Sequence, residues 1–465
     1  MVDPAELASQ LSLALGSVEV DDLTRLSGGA SRETWSFAAV SGFERRRLIL
    51  QRVRGGLTMG GPSLAAEDAL LAAAERAGVP VPPVVVDAAG CAPFLGAARI
   101  TQHVDGEALG PRIVRRDEFA PARSLLAAQC GRALAAIHSI DPTDVPGLEP
   151  VDTLGRLRDG LDLLDEHRPA FELALRWLDD HRPATRPVSV VHGDFRVGNL
   201  LVDPDDGLRG VLDWELAHLG DPIEDLGWLC VRAWRFGGDG EVGGVGPIED
   251  LVAAYVEASG TAVSVDEVRW WIVAGTLTWG LICAVQARRH LDGHVRSVEL
   301  ATIGRRVCET EYDLLALIGI TEPKPLSPPA PTNPDPDPAE VGVSSGPGDQ
   351  SSHQLRSGGD GGGHGRPTAA ELVEAVREHL AEVVAPELDG AAAFQLKVAG
   401  NALGIVERQL RTEPTSLLDE HLERALADAI RNGGELEDEV LVEVRAAVVD
   451  RLRVANPKWL LPPDA

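Results

Sequence analysis

Between Ser189 and Glu215 a chain that is helical in character on both sides breaks into short strands. That break constrains the fold more than any other feature. Ser189–Val191, Leu200–Val202 and Gly210–Leu212 read as strands, and Pro204-Asp205-Asp206-Gly207 is a turn between the last two. Two strands closed by such a turn make a hairpin. The hairpin returns Asp213 beside Asn199, although the two are distant in sequence. Asp194 sits in the loop just before it, where a carboxylate is presented rather than buried. One carboxylate able to accept or orient a hydroxyl proton and two hard oxygen ligands therefore converge. Phosphoryl transfer requires that set, because magnesium must hold the phosphates.

The rest of the chain frames this segment. Residues 1–105 read as a small α+β lobe. Leu7, Leu11 and Leu15 share one face of a helix over 4–16. Glu33–Val40 and Arg47–Val53 read as strands joined at Ser41-Gly42, and Val84–Asp87 and Ala98–Val104 as further strands. Ser63 caps a helix that Gly78 stops. Residues 106–321 are mainly helical around the strand break, with helices expected over Leu125–Ile140, across 155–180, and beyond Asp221. The longest apolar run, Trp270–Val285, is shorter than the roughly 18–20 residues that span a bilayer. It also carries Thr276, Thr278, Gly275 and Gly280, so a buried core helix is expected, with no membrane as partner. Trp270, Trp271 and Trp279 read as core.

Residues 322–367 begin EPKPLSPPAPTNPDPDP and end SGGDGGGHGRP, a composition that forms a disordered linker and no core. Residues 368–465 read as a separate all-α bundle. Thr368 caps its first helix, with Leu372, Val376, Leu380 and Val383 on one face. Amphipathic segments near 392–411, 415–432 and 435–453 follow. The bundle holds no nucleophile arrangement or metal cluster, so homo-oligomerisation or docking of a partner is its expected role.

The 465 residues carry a formal net charge of −29. That balance excludes nucleic acid and an anionic membrane surface as main partners. The five cysteines, Cys91, Cys130, Cys230, Cys283 and Cys308, are scattered and form no C-x-x-C pair. Neither a disulfide framework nor a zinc site is expected. The opening MVDPAELASQ is acidic and does not read as a signal peptide, so the expected location is cytoplasmic.

The run His192-Gly193-Asp194-Phe195-Arg196-Val197-Gly198-Asn199, followed by Asp213-Trp214-Glu215, has the spacing of the protein-kinase catalytic loop and its metal-binding aspartate. With these residues the chain resembles the aminoglycoside phosphotransferase-like kinase family, over roughly residues 20–320. The likeness is strongest to the branch associated with acyl-CoA dehydrogenases. That branch's H-G-D-F-R-x-G-N and D-W-E-x-x-x-x-G-D-P-x-x-D-L both stand intact between His192 and Leu226. The resemblance implies an α+β, bilobal, protein-kinase-like fold, with a β-rich N-terminal lobe and a mainly helical C-terminal lobe. It implies ATP in the cleft and a small-molecule hydroxyl as acceptor. It makes Asp194 the base and Arg196 the cation that neutralises the transferring phosphoryl group. Asn199 and Asp213 become the Mg2+ ligands. His192 and Asp225 brace the loop, and Glu215 either assists the metal or caps structure.

In the same likeness Ser27-Gly28-Gly29-Ala30-Ser31 matches the phosphate-covering loop. The strand that follows should present a lysine to the phosphates, yet Leu48-Ile49-Leu50-Gln51-Arg52 has none. Either the register shifts by one and Arg52 serves, or the contact is absent; Arg52 is favoured, with Glu67 as its ion-pair partner. Ile100–Gly106 resembles the inter-lobe hinge, where backbone around Gln102 and Val104 reads adenine. The helical tail resembles a small domain of unknown function that accompanies some of these enzymes. Three functions stand open: a kinase of a hydroxyacyl-CoA or hydroxy acid, an aminoglycoside-type antibiotic kinase, and an inactive nucleotide-binding pseudokinase scaffold. Intact Asp194, Asn199 and Asp213 favour activity.

Overall fold

A computed structural model describes residues 3–26, 32–53, 61–164, 167–320, 368–434 and 436–460. The chain divides into two compact units, Met1–Ile318 with Leu418–Leu436, and Gly319–Leu417 with Glu437–Ala465.

The first unit opens with α1 (Pro4–Ala14), β1 (Glu19–Leu26), β2 (Arg32–Ser41) and β3 (Glu44–Val53). It continues with α2 (Leu64–Arg76), β4 (Val84–Val86), α3 (Ala88–Leu95) and β5 (Ala98–Gln102). The strands form one sheet in the order β1-β2-β3-β5-β4. Side chains alternate along β3, so Leu48, Leu50 and Arg52 share one face while Ile49, Gln51 and Val53 share the other. Leu48 and Leu50 pack with Leu7 and Leu11 of α1 and with Cys91 and Leu95 of α3. Helix α3 was not expected from the sequence, because Gly90 and Pro93 lie inside it and weaken the helical signal. It forms because Asp87 accepts the Gly90 N–H at 2.8 Å and because Cys91 and Leu95 are buried.

Helices α4 (Gly110–Arg115), α5 (Ala120–His138), α6 (Thr153–Leu164) and α7 (Pro169–Asp180) lead to the strand break. There β6 (Ser189–Val191), β7 (Leu200–Asp203), β8 (Gly207–Val211) and β9 (His218–Gly220) follow. The expected hairpin is β7 with β8, Leu200 opposite Val211, while β6 pairs with β9. Then come α8 (Ile223–Cys230), α9 (Ile248–Ser259), α10 (Val265–Leu291), α11 (Val298–Gly304) and α12 (Val307–Leu317). A continuous core joins the strands and helices, including Phe171, Val190, Trp214, Leu226 and Leu277. Helix α10 is long and apolar enough to cross a membrane, but 67% of its most apolar window is buried inside the protein. It behaves as the core helix its sequence implies, started by a Ser264–Glu267 capping box.

Four further helices are α13 (Ala369–His379), α14 (Gly390–Arg411), α15 (Glu420–Arg431) and α16 (Asp438–Ala455). In the second unit Arg377 pairs with Glu407 at 3.0 Å, and Asp450 accepts the backbone N–H groups of Thr415 and Ser416. Helix α15, which by sequence falls among the tail helices, clusters with the first unit. Its Ala427 and Ile430 are buried, and Arg431 reaches Glu172 of α7 at 2.6 Å and Asp162 of α6 at 2.5 Å.

Candidate active site

Strand β6 delivers the chain to a loop whose path is set by one glycine. Gly193 adopts φ 78°, and a Cβ there would stand 2.4 Å from the Leu216 carbonyl oxygen. Gly193→Ala is therefore expected to destabilise the fold by about 1–3 kcal/mol. Thermal unfolding measures this, and an unchanged midpoint contradicts it.

Asp225, fully buried in α8, holds the same loop from below. It accepts the backbone N–H groups of His192 at 2.8 Å and Gly193 at 2.9 Å, and it faces His138 Nε2 at 3.2 Å. Burial alone would raise its pKa. The hydrogen bond and charge of His138, together with His192, outweigh burial and hold the carboxyl below the usual range. His192 is also buried. Its Nε2–H donates to the Leu212 carbonyl at 3.0 Å and its Nδ1 accepts the Asp194 N–H at 3.2 Å, an assignment that follows from the partners. Burial pushes its pKa down against Asp225 and Asp194, so the ring is neutral. It ties the loop to the residue preceding Asp213.

The carboxylate of Asp194 receives three side-chain donors. Arg196 Nε lies 3.0 and 3.2 Å from its two oxygens, Asn199 Nδ2 donates at 2.6 Å and Trp228 Nε1 at 2.9 Å. Arg196 itself stacks over the Trp234 ring at 5.0 Å. Because Nδ2 of Asn199 turns to Asp194, its amide oxygen has no partner among the described residues. Asp213 follows β8 with φ 66°, a left-handed conformation uncommon outside glycine. Its carboxyl is pushed up to about 6, first by burial and then by the carboxylates of Glu215 and Asp194. A folded pKa above the unfolded one means that this group stabilises the fold at low pH. The contribution disappears as pH rises through about 6.

The small lobe departs from expectation. Arg52 and Glu67 do not meet. Strand alternation puts Arg52 on the Leu48–Leu50 face, where its Nη2 lies 2.7 Å from Glu33. Glu67, in α2 and 1% exposed, is met instead by Arg32 of β2 on Oε1 and Arg99 of β5 on Oε2. Gln51 lies between those strands, opposite Thr34 on one side and Arg99 on the other. Glu215 lies 3.6 Å from Arg32 Nε. At the hinge, the Gln102 N–H is taken by the Pro83 carbonyl at 2.9 Å, whereas the Val104 N–H has no partner among the described residues. Ser27, Gly28, Gly29, Ala30 and Ser31 lie outside the described residues.

Sequence reasoning missed Trp228 and Arg32. Trp228 carried one signal, its i, i+3 spacing from Asp225 on a helix. Arg32 carried its position directly after the glycine segment. Beside the loop is a mainly apolar cavity of about 590 Å³, bounded by Gly193, Arg156 of α6, Trp228 of α8, and Trp271, Ala274 and Leu281 of α10.

A carboxylate held by three donors, next to an amide oxygen and a second carboxylate, under a five-stranded lobe, defines a phosphotransferase of protein-kinase-like fold. The phosphotransferase enzyme family matches residues 22–269, more than half of the chain, and the chain belongs to it. A domain of unknown function, DUF6285, matches residues 386–459. Mouse (Mus musculus) acyl-CoA dehydrogenase family member 10 is 26% identical over 228 residues, 45% of this chain and 20% of that protein. The Arabidopsis thaliana protein named "Probable acyl-CoA dehydrogenase IBR3" is 28% identical over 233 residues, 45% of this chain and 28% of that protein. The chain thus spans well under a third of the length of these curated relatives. A solved structure from Ralstonia eutropha, provisionally described as an aminoglycoside phosphotransferase, superposes with a TM-score of 0.53 at 21% identity, covering 68% of this chain and 98% of that one. It shares the fold.

Proposed function

We propose that this chain transfers a phosphoryl group from ATP, with magnesium, to the hydroxyl of a hydroxyacyl-CoA or hydroxy acid. The observation that carries the reading is the convergence of Asp194, Asn199 and Asp213 at one end of the β7–β8 hairpin. Asp194 accepts or orients the proton of the attacking hydroxyl, and its three donors keep the carboxylate aimed. Arg196, pinned between Asp194 and Trp234, places a permanent cation beside the group in transfer. The amide oxygen of Asn199 and the carboxylate of Asp213 fit a hard cation, and the mutual repulsion of Asp213, Glu215 and Asp194 supports one there. Magnesium so bound neutralises phosphate charge. Val104 at the hinge offers the free N–H that adenine recognition uses.

The acceptor follows from the cavity. Trp271, Ala274 and Leu281 suit a hydrocarbon chain. Arg156, which has no side-chain partner among the described residues, suits a carboxylate or the phosphates of CoA. The names of the acyl-CoA dehydrogenase relatives support the same class. A second reading, an antibiotic kinase, draws on Glu149 and Glu224 in the same cavity wall, which favour a cationic acceptor. Turnover with Mg-ATP against hydroxyacyl-CoAs, hydroxy acids and aminoglycosides decides between them. Preference for the acyl compounds is expected; preference for aminoglycosides would replace the reading, and ATP binding with no acceptor turned over would favour the scaffold. Buried Cys91, Cys130, Cys230, Cys283 and Cys308 form no disulfide among the described residues, which fits a cytoplasmic setting.

The raised pKa of Asp213 sets a pH dependence. A proton competes with the cation below about 6, so magnesium affinity should be full above that value. It should fall by about tenfold per unit at lower pH. Magnesium titrations followed by tryptophan fluorescence read this, and a flat profile contradicts Asp213 as a ligand.

A further inference from the structure

We infer that Arg32 of β2 is the cation that grips the nucleotide's phosphates, taking the place of the lysine that β3 lacks. The inference rests on the ATP-dependent reading above and assigns a residue that the catalytic motifs do not contain. No lysine precedes Lys324 in the sequence, so a phosphate-binding cation in the small lobe must be an arginine. Among the described residues, Arg32 and Arg99 are the arginines paired with Glu67. Both stand on the Gln51 face of the sheet. Arg99 is directly opposite Gln51, and Arg32 is two residues along β2 from Thr34, which is opposite Gln51 on the other side.

The two arginines differ in what they have left to give. The side chain of Arg99 is 2% exposed and is enclosed by Glu67 and by Asp68 at 3.1 Å. It anchors Glu67 and has no route to a ligand. Arg32 is 12% exposed. Its Nη2 holds Glu67, its Nε faces Glu215 at 3.6 Å, and its Nη1 has no partner among the described residues. A guanidinium carries five N–H groups in a planar fork, so Arg32 can keep Glu67 and still present two donors to phosphate oxygens. It also lies beside the residues that the proposed reading puts around the metal: Glu215 is 3.6 Å away, and the charges of Glu215 and Asp213, in the acidic cluster with Asp194, act on it. Arg52, on the opposite face with Glu33, is excluded by the pleat.

The test is calorimetric binding of adenosine and of Mg-ADP to the full chain and to Arg32→Gln, Arg32→Lys and Arg52→Gln. Losing a charged phosphate contact should weaken Mg-ADP binding by on the order of ten- to a hundredfold in Arg32→Gln. Adenosine binding should be unchanged, which shows that the cleft is intact. Arg32→Lys should recover most of the loss, and Arg52→Gln should bind both ligands as the unaltered chain does. Equal weakening of adenosine and Mg-ADP in Arg32→Gln would make Arg32 a support for Glu67 and overturn the inference. Unchanged Mg-ADP binding in Arg32→Gln, or a selective loss in Arg52→Gln, would overturn it too. Failure of the unaltered chain to bind Mg-ADP at all would overturn the ATP-dependent reading itself, and this inference with it.

Discussion

Asp194→Asn is expected to lower kcat by roughly a hundred- to ten-thousandfold while leaving Mg-nucleotide affinity within a few fold. The replacement keeps the shape and one acceptor oxygen, so Trp228 Nε1 at 2.9 Å retains a partner, and Asn199 Nδ2 keeps the backbone carbonyl of residue 194 at 2.9 Å. What it removes is the ability to take a proton from the acceptor hydroxyl. In the proposed reading the nucleotide is held elsewhere, by the small lobe and by the oxygens of Asn199 and Asp213, so affinity should survive. Steady-state rates and calorimetry on the same preparation separate the two effects. A variant that loses nucleotide binding along with turnover would place Asp194 in the metal site instead.

The second large effect is structural. Asp225→Ala should cost about 3–5 kcal/mol of stability, because a buried, fully paired carboxylate is removed and its donors are left without water. Those donors are the N–H groups of His192 and Gly193, and His138 Nε2 loses its partner at 3.2 Å. The loop carrying Asp194 is then free to shift, so turnover should fall as well. Since the pKa of Asp225 is depressed, its contribution is present above the ordinary carboxylate range and is lost as pH falls below it. Chemical denaturation at neutral and acid pH measures both. A loss below about 1 kcal/mol contradicts the bracing role.

These two residues also show why part of the site was legible in the sequence. His192, Asp194, Asn199 and Asp213 lie on one loop and one hairpin, so local turn chemistry is enough to bring them together. Asp225 is one short helix further on. Where the site depends on distant elements, the sequence underdetermines it. Which cation meets Glu67 depends on which face of β3 turns inward, and Gln51 and Arg52 are adjacent residues on opposite faces. The partners of Glu67 come from β2 and β5, set by cross-strand register rather than by spacing. The cavity wall is similar, for Arg156 and Trp271 come from helices whose sequences show only ordinary amphipathic or core patterning. Helix α15 was legible as a helix, but its packing with α7 required the ion pairs of Arg431 with Glu172 and Asp162 to be seen.

The central claim is that this chain moves phosphate to a carbon-bound hydroxyl and uses Asp194 to do so. Phosphorus NMR of the full chain with Mg-ATP and a panel of hydroxyacyl-CoAs and hydroxy acids tests it directly. The prediction is a new phosphomonoester resonance that grows in step with ADP and is absent with Asp194→Asn. ADP appearing only with free phosphate, or a phosphomonoester formed at the same rate by Asp194→Asn, would contradict it.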